Sequence, residues 1–180
     1  MSDRDGLEMG EAAPALDLPD TTGEERSLPT PGEAPATIVV WTCNHCPYAL
    51  AWHDRLMDVA REYGEQGVRF LAVNSNDPGR YAVDSYDAMR ERVEREDWPV
   101  PYLHDATQDA ARAWGATVTP HVFVLDSDLR LRYRGAPDHD HRDPDGRAAW
   151  LRAALDALLA GRDPEPPETQ PVGCTIKWKP

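Results

Sequence analysis

From Ala36 onward, short apolar runs alternate with segments in which apolar residues return every three or four positions. ATIVVW (Ala36 to Trp41) is apolar and β-branched, the composition of a strand covered on both faces. Pro47 follows soon after, where a proline fits the first turn of a helix. Ala49, His53, Leu56, Ala60 and Tyr63 then recur at helical spacing, and Gly64 and Gly67 close the segment. VRFLAV (Val68 to Val73) predicts the next strand, and NSNDPG (Asn74 to Gly79) a turn-rich loop that leaves it. Val83, Tyr86, Met89 and Val93 mark one face of a charged helix, and a short helical stretch after PYLHD ends near Trp114 and Gly115. HVFVLD (His121 to Asp126) and LRLRYRG (Leu129 to Gly135) read as strands joined by a hairpin turn at DSD. GRAAWLRAALDALLAG (Gly146 to Gly161) is the clearest helix, with Ala148, Leu151, Leu155 and Leu158 on one face and Gly161 as its stop.

Strand-helix-strand order calls for a parallel pair and a hairpin for an antiparallel one. The pattern therefore predicts an α/β fold with a central mixed sheet and helices on both its faces. Residues 1–35, rich in Pro, Gly, Glu and Thr, read as a wrapping extension with one short strand in PALDL (Pro14 to Leu18). Residues 36–161 form the expected core. Residues 162–180 form a tail that is proline-rich at first, then apolar around Cys174, Ile176 and Trp178, and so returns to the body.

A chain of 180 residues can bury a core without metal or disulfide staples. Its net charge of -13 argues against nucleic acid or an anionic membrane surface as partner. The first residues lack a basic stretch leading into an apolar run, and no segment approaches the roughly 18 apolar residues of a membrane span, so a soluble cytoplasmic protein is expected. In that setting three cysteines are reactive or metal-binding rather than structural.

Two of them, Cys43 and Cys46 in WTCNHCPYAL, lie where a buried strand ends and a helix begins. Free amides and the positive end of the helix dipole favour a thiolate there. Cys43, at the mouth of the helix, is expected to be the more exposed and the attacking thiol, with Cys46 one turn inside and able to resolve a mixed disulfide. The spacing allows closure into a small disulfide ring. His45 between them is expected to tune the pair, because an imidazolium favours the thiolate, disfavours the disulfide and makes the pair more oxidising.

At this point the chain resembles the thioredoxin superfamily, in particular its bacterial thioredoxin-like or redoxin branch, grouped with alkyl-hydroperoxide-reductase and thiol-specific-antioxidant (AhpC/TSA) domains. APALDLPDTTG, WTCNHCPYA, FLAVNSNDP, PYLHDATQDAARAWGATVTP, HVFVLDSDLRLRYRG and PVGCTIKWK carry the resemblance in this order over nearly the whole chain. It implies a thioredoxin-like fold and a cis proline facing the Cys-x-x-Cys, matched by Pro120. Thr119 beside it would expose backbone groups for substrate docking. Two departures stand out. Thioredoxin carries an acidic residue six positions before its first cysteine, where this chain has Thr37. Peroxiredoxins carry a threonine three positions before theirs, where Val40 precedes Cys43 and Cys43 precedes Cys46.

The resulting expectation is a thiol-disulfide oxidoreductase acting on protein or small-molecule disulfides, with an external dithiol as donor or acceptor. Thiol-dependent peroxidase activity is one alternative. A metal site is another, with Cys43 and Cys46 joined by His45, His53, His121, His139 or His141. The third is a noncatalytic interaction module, in which Trp52, Tyr63, Tyr81, Tyr86 and Trp114 only pack and Glu91 and Arg95 form an ordinary pair on a solvated helix face. His53 reads better as a packing residue, and DHDHRD (Asp138 to Asp143) as an exposed acidic loop. No organic cofactor is expected, because GEQG and the scattered glycines form no dinucleotide fingerprint. Cys174 is either a packing residue or a third thiol, brought to the pair by the close approach that Gly173 permits.

Overall fold

The computed structural model describes residues 6–180. Its centre is a five-stranded sheet built from β3 (Ala36–Trp41), β4 (Arg69–Asn74), β5 (Tyr102–His104), β7 (His121–Asp126) and β8 (Leu131–Gly135). Their order across the sheet is β5-β4-β3-β7-β8. The β5-β4 and β4-β3 pairs are parallel, the β3-β7 and β7-β8 pairs antiparallel, so the sheet is mixed as the element order requires.

Alternation along β3 explains why helices cover both faces. Ile38 and Val40 pack with Trp52, Leu56 and Val59 of α1 (Pro47–Gly64), Met89 of α2 (Tyr86–Glu96) and Leu151 and Leu155 of α4 (Ala149–Leu159). Val39 and Trp41 point the other way, to Ala111 and Trp114 of α3 (Asp109–Trp114), to Leu7 and Leu16, and to Ile176 of the tail. A strand sandwiched in this manner needs an uninterrupted apolar run, which ATIVVW supplies. Ile176 is 2% exposed. Burying a side chain of that size stabilises by roughly 1.5–3 kcal/mol, which keeps the tail on the body.

Short elements complete the molecule. β1 (Asp17–Pro19) pairs with β2 (Glu25–Ser27), and β6 (Val118–Thr119) pairs antiparallel with β9 (Cys174–Thr175). No helix is long and apolar enough to cross a membrane among the described residues.

Three expectations need correction. Val83 is not on the face of α2: it is exposed, in a single 3-10 turn at Ala82–Asp84, because the Ser85 hydroxyl accepts the Ala88 amide and starts the helix after it. The ion pair on α2 is Arg92 with Glu96 at 2.9 Å, whereas Glu91 and Arg95 are exposed and unjoined among the described residues. The loop after β4 is present as expected, and Asn74 to Asp77 are buried, since side chains there bond inward. Finally, Asp138 in DHDHRD is buried and bonds to Trp52 Nε1, Arg55 and the Ala148 amide, which delays α4 from Gly146 to Ala149.

Candidate active site

β3 ends at Trp41 and the Thr42 amide makes one more bond to the Val73 carbonyl, so the chain leaves the sheet at its C-terminal edge. Cys43 lies in the turn that follows. Cys46 occupies the N-cap position of α1 with Pro47 directly after it, rather than standing a turn inside the helix. Both cysteines are buried, at 1% and 0% exposure, so Cys43 is not the more accessible of the two. The cause is non-local: Ala49, Tyr48 and Cys174 pack around the two sulfurs, and Thr119 contacts both.

Two influences act in opposite senses on the proton the sulfurs share. Their mutual hydrogen bond, burial and the nearby Asp84 charge raise Cys43, while the same bond lowers Cys46 to about 4 against the effect of burial, with help from the Ala49 amide. The hydrogen bonds around the sulfurs do not separate the two cysteines, since the Ala49 amide, the Cys174 thiol and the Thr119 hydroxyl also lower Cys46. Cys43 Sγ receives the Cys46 amide and lies 3.4 Å from the Thr119 hydroxyl, two groups able to donate. Cys46 Sγ instead lies 3.2 Å from the Thr119 carbonyl, which can accept from a thiol but repels a thiolate.

His45 is held by a residue that sequence reasoning passed over. Its Nδ1 hydrogen-bonds to Asp84 at 2.5 Å, and its ring stacks on Tyr81 with centroids 4.9 Å apart. Asp84 is fully buried and also accepts the Asn44 amide, Asn74 Nδ2 and Asn76 Nδ2. Arg92, buried as well, donates to the Cys43 carbonyl and to Asn44 Oδ1, which Tyr102 also bonds. This polar scaffold fixes the turn between the cysteines. Its signal in the sequence was the Asn-Ser-Asn run after a buried strand, because amides can satisfy donors and acceptors inside a protein without carrying charge. Thr37, at the position where thioredoxin has an acid, is buried with an unbonded hydroxyl.

The Thr119-Pro120 peptide is cis and faces the cysteines through Thr119. Thr119 does not offer a free edge, however. It is buried, and β9 pairs with it so that Cys174 stands directly opposite. Gly173 is required there, because a Cβ at that position would lie 2.0 Å from the Thr119 oxygen. Cys174 is half-buried and hydrogen-bonds to Cys46, which joins the third thiol to the pair.

The histidines weighed as metal ligands are dispersed. His53 packs on Trp98, His121 on Phe123, His139 near Trp150, and His141 against Tyr48 and Trp52. Among the described residues the cluster that could offer ligand atoms is Cys43, His45 and Asp84, within 4.8 Å of one another. It leaves out Cys46, and both Asp84 oxygens already accept hydrogen bonds from the scaffold.

Residues 9–134 match the family model described as the AhpC/TSA family. The chain belongs to the AhpC/TSA family. It is 38% identical to an uncharacterised conserved protein from Geobacillus kaustophilus, over 97% of this chain and 94% of that one, with a TM-score of 0.89. A protein of Sinorhizobium meliloti 1021 described as hypothetical is 34% identical over 97% of this chain and 96% of that one, with a TM-score of 0.88. The peroxidoxin BcpB of Mycobacterium tuberculosis, 19% identical over 87% of this chain and 99% of that one at a TM-score of 0.67, shares the fold. No curated protein matches the sequence. An AhpC/TSA-family chain with a thioredoxin-like fold and a Cys-x-x-Cys at the start of α1 has the equipment of a thiol-disulfide oxidoreductase.

Proposed function

We propose that the Cys43 thiolate attacks a substrate disulfide, expels one substrate thiolate and forms a mixed disulfide. Cys46 then attacks Cys43 Sγ, releases the second substrate thiolate and closes the Cys43-Cys46 disulfide, which an external dithiol reduces again. The oxidising direction is the same sequence reversed. The observation that carries this reading is the meeting of two buried sulfurs at Thr119: Cys43 Sγ receives the Cys46 amide and lies 3.4 Å from the Thr119 hydroxyl, and Cys46 Sγ lies 3.2 Å from the Thr119 carbonyl.

Peroxide reduction has less support. Arg92 reaches the Cys43 carbonyl rather than its sulfur, so its guanidinium is not aimed at an oxygen bound at Sγ. The substrates in this reading are protein or small-molecule disulfides. Leu50 and Val83 are exposed and line one cavity with Asn44 and with the charged Glu91, Arg92, Arg95 and Glu96, so the rim of the site offers both apolar and charged contacts to a disulfide.

The test is a redox titration of the full-length protein against glutathione, with trapping in single-cysteine variants. Cys46→Ser is expected to accumulate a mixed disulfide at Cys43, and Cys43→Ser to lose turnover. Adducts formed preferentially on Cys46 in the native protein would reverse the assignment. Absence of a reversible Cys43-Cys46 disulfide would end the exchange reading, and peroxide turnover much faster than disulfide turnover would replace it.

A further inference from the structure

The tail sits on the cysteines in the manner of an extended peptide. Strand addition to an open edge is a common way for a protein to hold a peptide, because main-chain bonds fix the register and leave alternate side chains facing the site. β9 does this to β6: Val118 stands opposite Thr175, and Thr119 opposite Cys174, immediately before the cis proline. The register is held from both sides of the cysteine. Gly173 lets the backbone come against the Thr119 carbonyl, and beyond Cys174 the Ile176 amide bonds to the Thr117 carbonyl at 3.0 Å. The Lys177 amide then bonds to Asn76 Oδ1 and its carbonyl accepts from Gln108 Nε2. Cys174 is thus delivered to Cys46 by backbone geometry, and the three thiols form one cluster.

We propose that the tail is a resident substrate strand whose Cys174 exchanges with the Cys43-Cys46 disulfide. The inference rests on the exchange reading above, which supplies that disulfide. The Cys174 thiol loses its proton to solvent and its thiolate attacks Cys46 Sγ. A Cys46-Cys174 bond forms, the Cys43-Cys46 bond breaks, and the electron pair leaves on Cys43 as a thiolate. No electrons enter or leave, since the substrate disulfide has already oxidised the pair.

Electrostatics oppose the step less after that oxidation, although burial, the largest influence on Cys174, remains. In the dithiol, burial and then the neighbouring Cys46 hold Cys174 up at about 11, with Lys177 opposing them. Once Cys46 is in a disulfide its contribution is gone, while Lys177 remains. A consequence for specificity follows. An extended peptide that needs the Thr119 edge must first displace β9, whereas a small disulfide need not. A strand docked nine-tenths of the time lowers the apparent affinity of such a peptide about tenfold.

The experiment is partial oxidation of the full-length protein in glutathione buffers, acid quenching, alkylation of free thiols and peptide mapping. Two oxidised populations are expected, one with Cys174 alkylated and the other with Cys43 alkylated and a Cys46-Cys174 bond. Gly173→Val drives a side chain into the Thr119 carbonyl, and is expected to lose the Cys46-Cys174 bond while keeping the Cys43-Cys46 bond. Reversible Cys43-Cys46 oxidation without any Cys46-Cys174 bond overturns the proposal, as does a Cys46-Cys174 yield in folded Gly173→Val equal to that of the native chain. If instead the native protein forms no Cys43-Cys46 disulfide, the exchange reading has failed. The Cys43→Ser protein then tests the tail separately: a Cys46-Cys174 bond on oxidation supports its placement, and no bond refutes it.

Discussion

His45 and Asp84, 39 residues apart in the chain, meet through a 2.5 Å hydrogen bond on the wall of the dithiol site. The carboxylate is fully buried and raises Cys43 by its charge, although the sulfur-sulfur hydrogen bond and burial act more strongly on that thiol. The imidazole is what faces the carboxylate from the side of the cysteines. We therefore expect His45 to act on the pair through its bond to Asp84.

Opposite substitutions should accordingly move the redox potential in opposite directions. His45→Ala leaves the Asp84 charge uncompensated, disfavours the Cys43 thiolate and makes the pair more reducing. Asp84→Asn removes the charge and makes it more oxidising. An effect equivalent to one pKa unit corresponds to a shift of about 30 mV for this two-electron couple. Glutathione titration of both variants checks it, and shifts of the same sign would contradict the offset.

Arg92 holds the turn through the Cys43 carbonyl and Asn44 Oδ1, and stacks on Trp98 at 4.9 Å. Arg92→Ala removes the donor to the Cys43 carbonyl and leaves Asn44 Oδ1 with Tyr102 alone, and should cost about 1–3 kcal/mol in urea unfolding. Arg92→Lys keeps the charge but loses the fork geometry, so part of the cost should remain. Faster amide exchange at residues 44–46 in both variants, with the rest of the sheet unchanged, is the expected signature of a loosened turn.

Acid should weaken the fold through His121. Burial, and less strongly Arg134, lower this group from 6.5 to about 4, and its Nε2 has no hydrogen-bond partner. Between those pH values the unfolded chain takes up a proton that the folded chain refuses, so stability falls as pH drops through the window. The loss is bounded at roughly 3 kcal/mol from this one group. His53 and His104, also lowered chiefly by burial, act in the same sense. His121→Leu should flatten the acid limb of a stability-pH profile measured by urea titration, and an unchanged slope would remove His121 as the cause.

Exchange at Cys174 should be governed by its own ionisation. With the thiol held up at about 11, mainly by burial, the attacking thiolate is a minor species at neutral pH. The rate of Cys43 release after rapid oxidation should rise with pH, by about tenfold per unit while the thiol stays mostly protonated. Lys177→Ala removes the charge that lowers Cys174 and should slow the step at a given pH. Quenched-flow alkylation measures both.

The sequence by itself determined the frame of this protein. β3, β7, α1 and the hairpin from Asp126 to Leu131 were legible because apolar periodicity, proline and glycine act within a few residues of themselves, and Cys43, Cys46 and His45 were marked by spacing at a strand-helix junction. What only the tertiary structure decided was which polar groups are buried and what they meet. Asn74 and Asn76 read as loop residues until Asp84, Tyr102 and Lys177 come to them, and Arg92 reads as a surface charge until the Cys43 carbonyl accepts from it. The even burial of the two cysteines and the pairing of Cys174 with Thr119 have the same origin. A buried polar atom must find a partner wherever the fold brings one, and neither periodicity nor local propensity encodes contacts between residues that lie tens of positions apart.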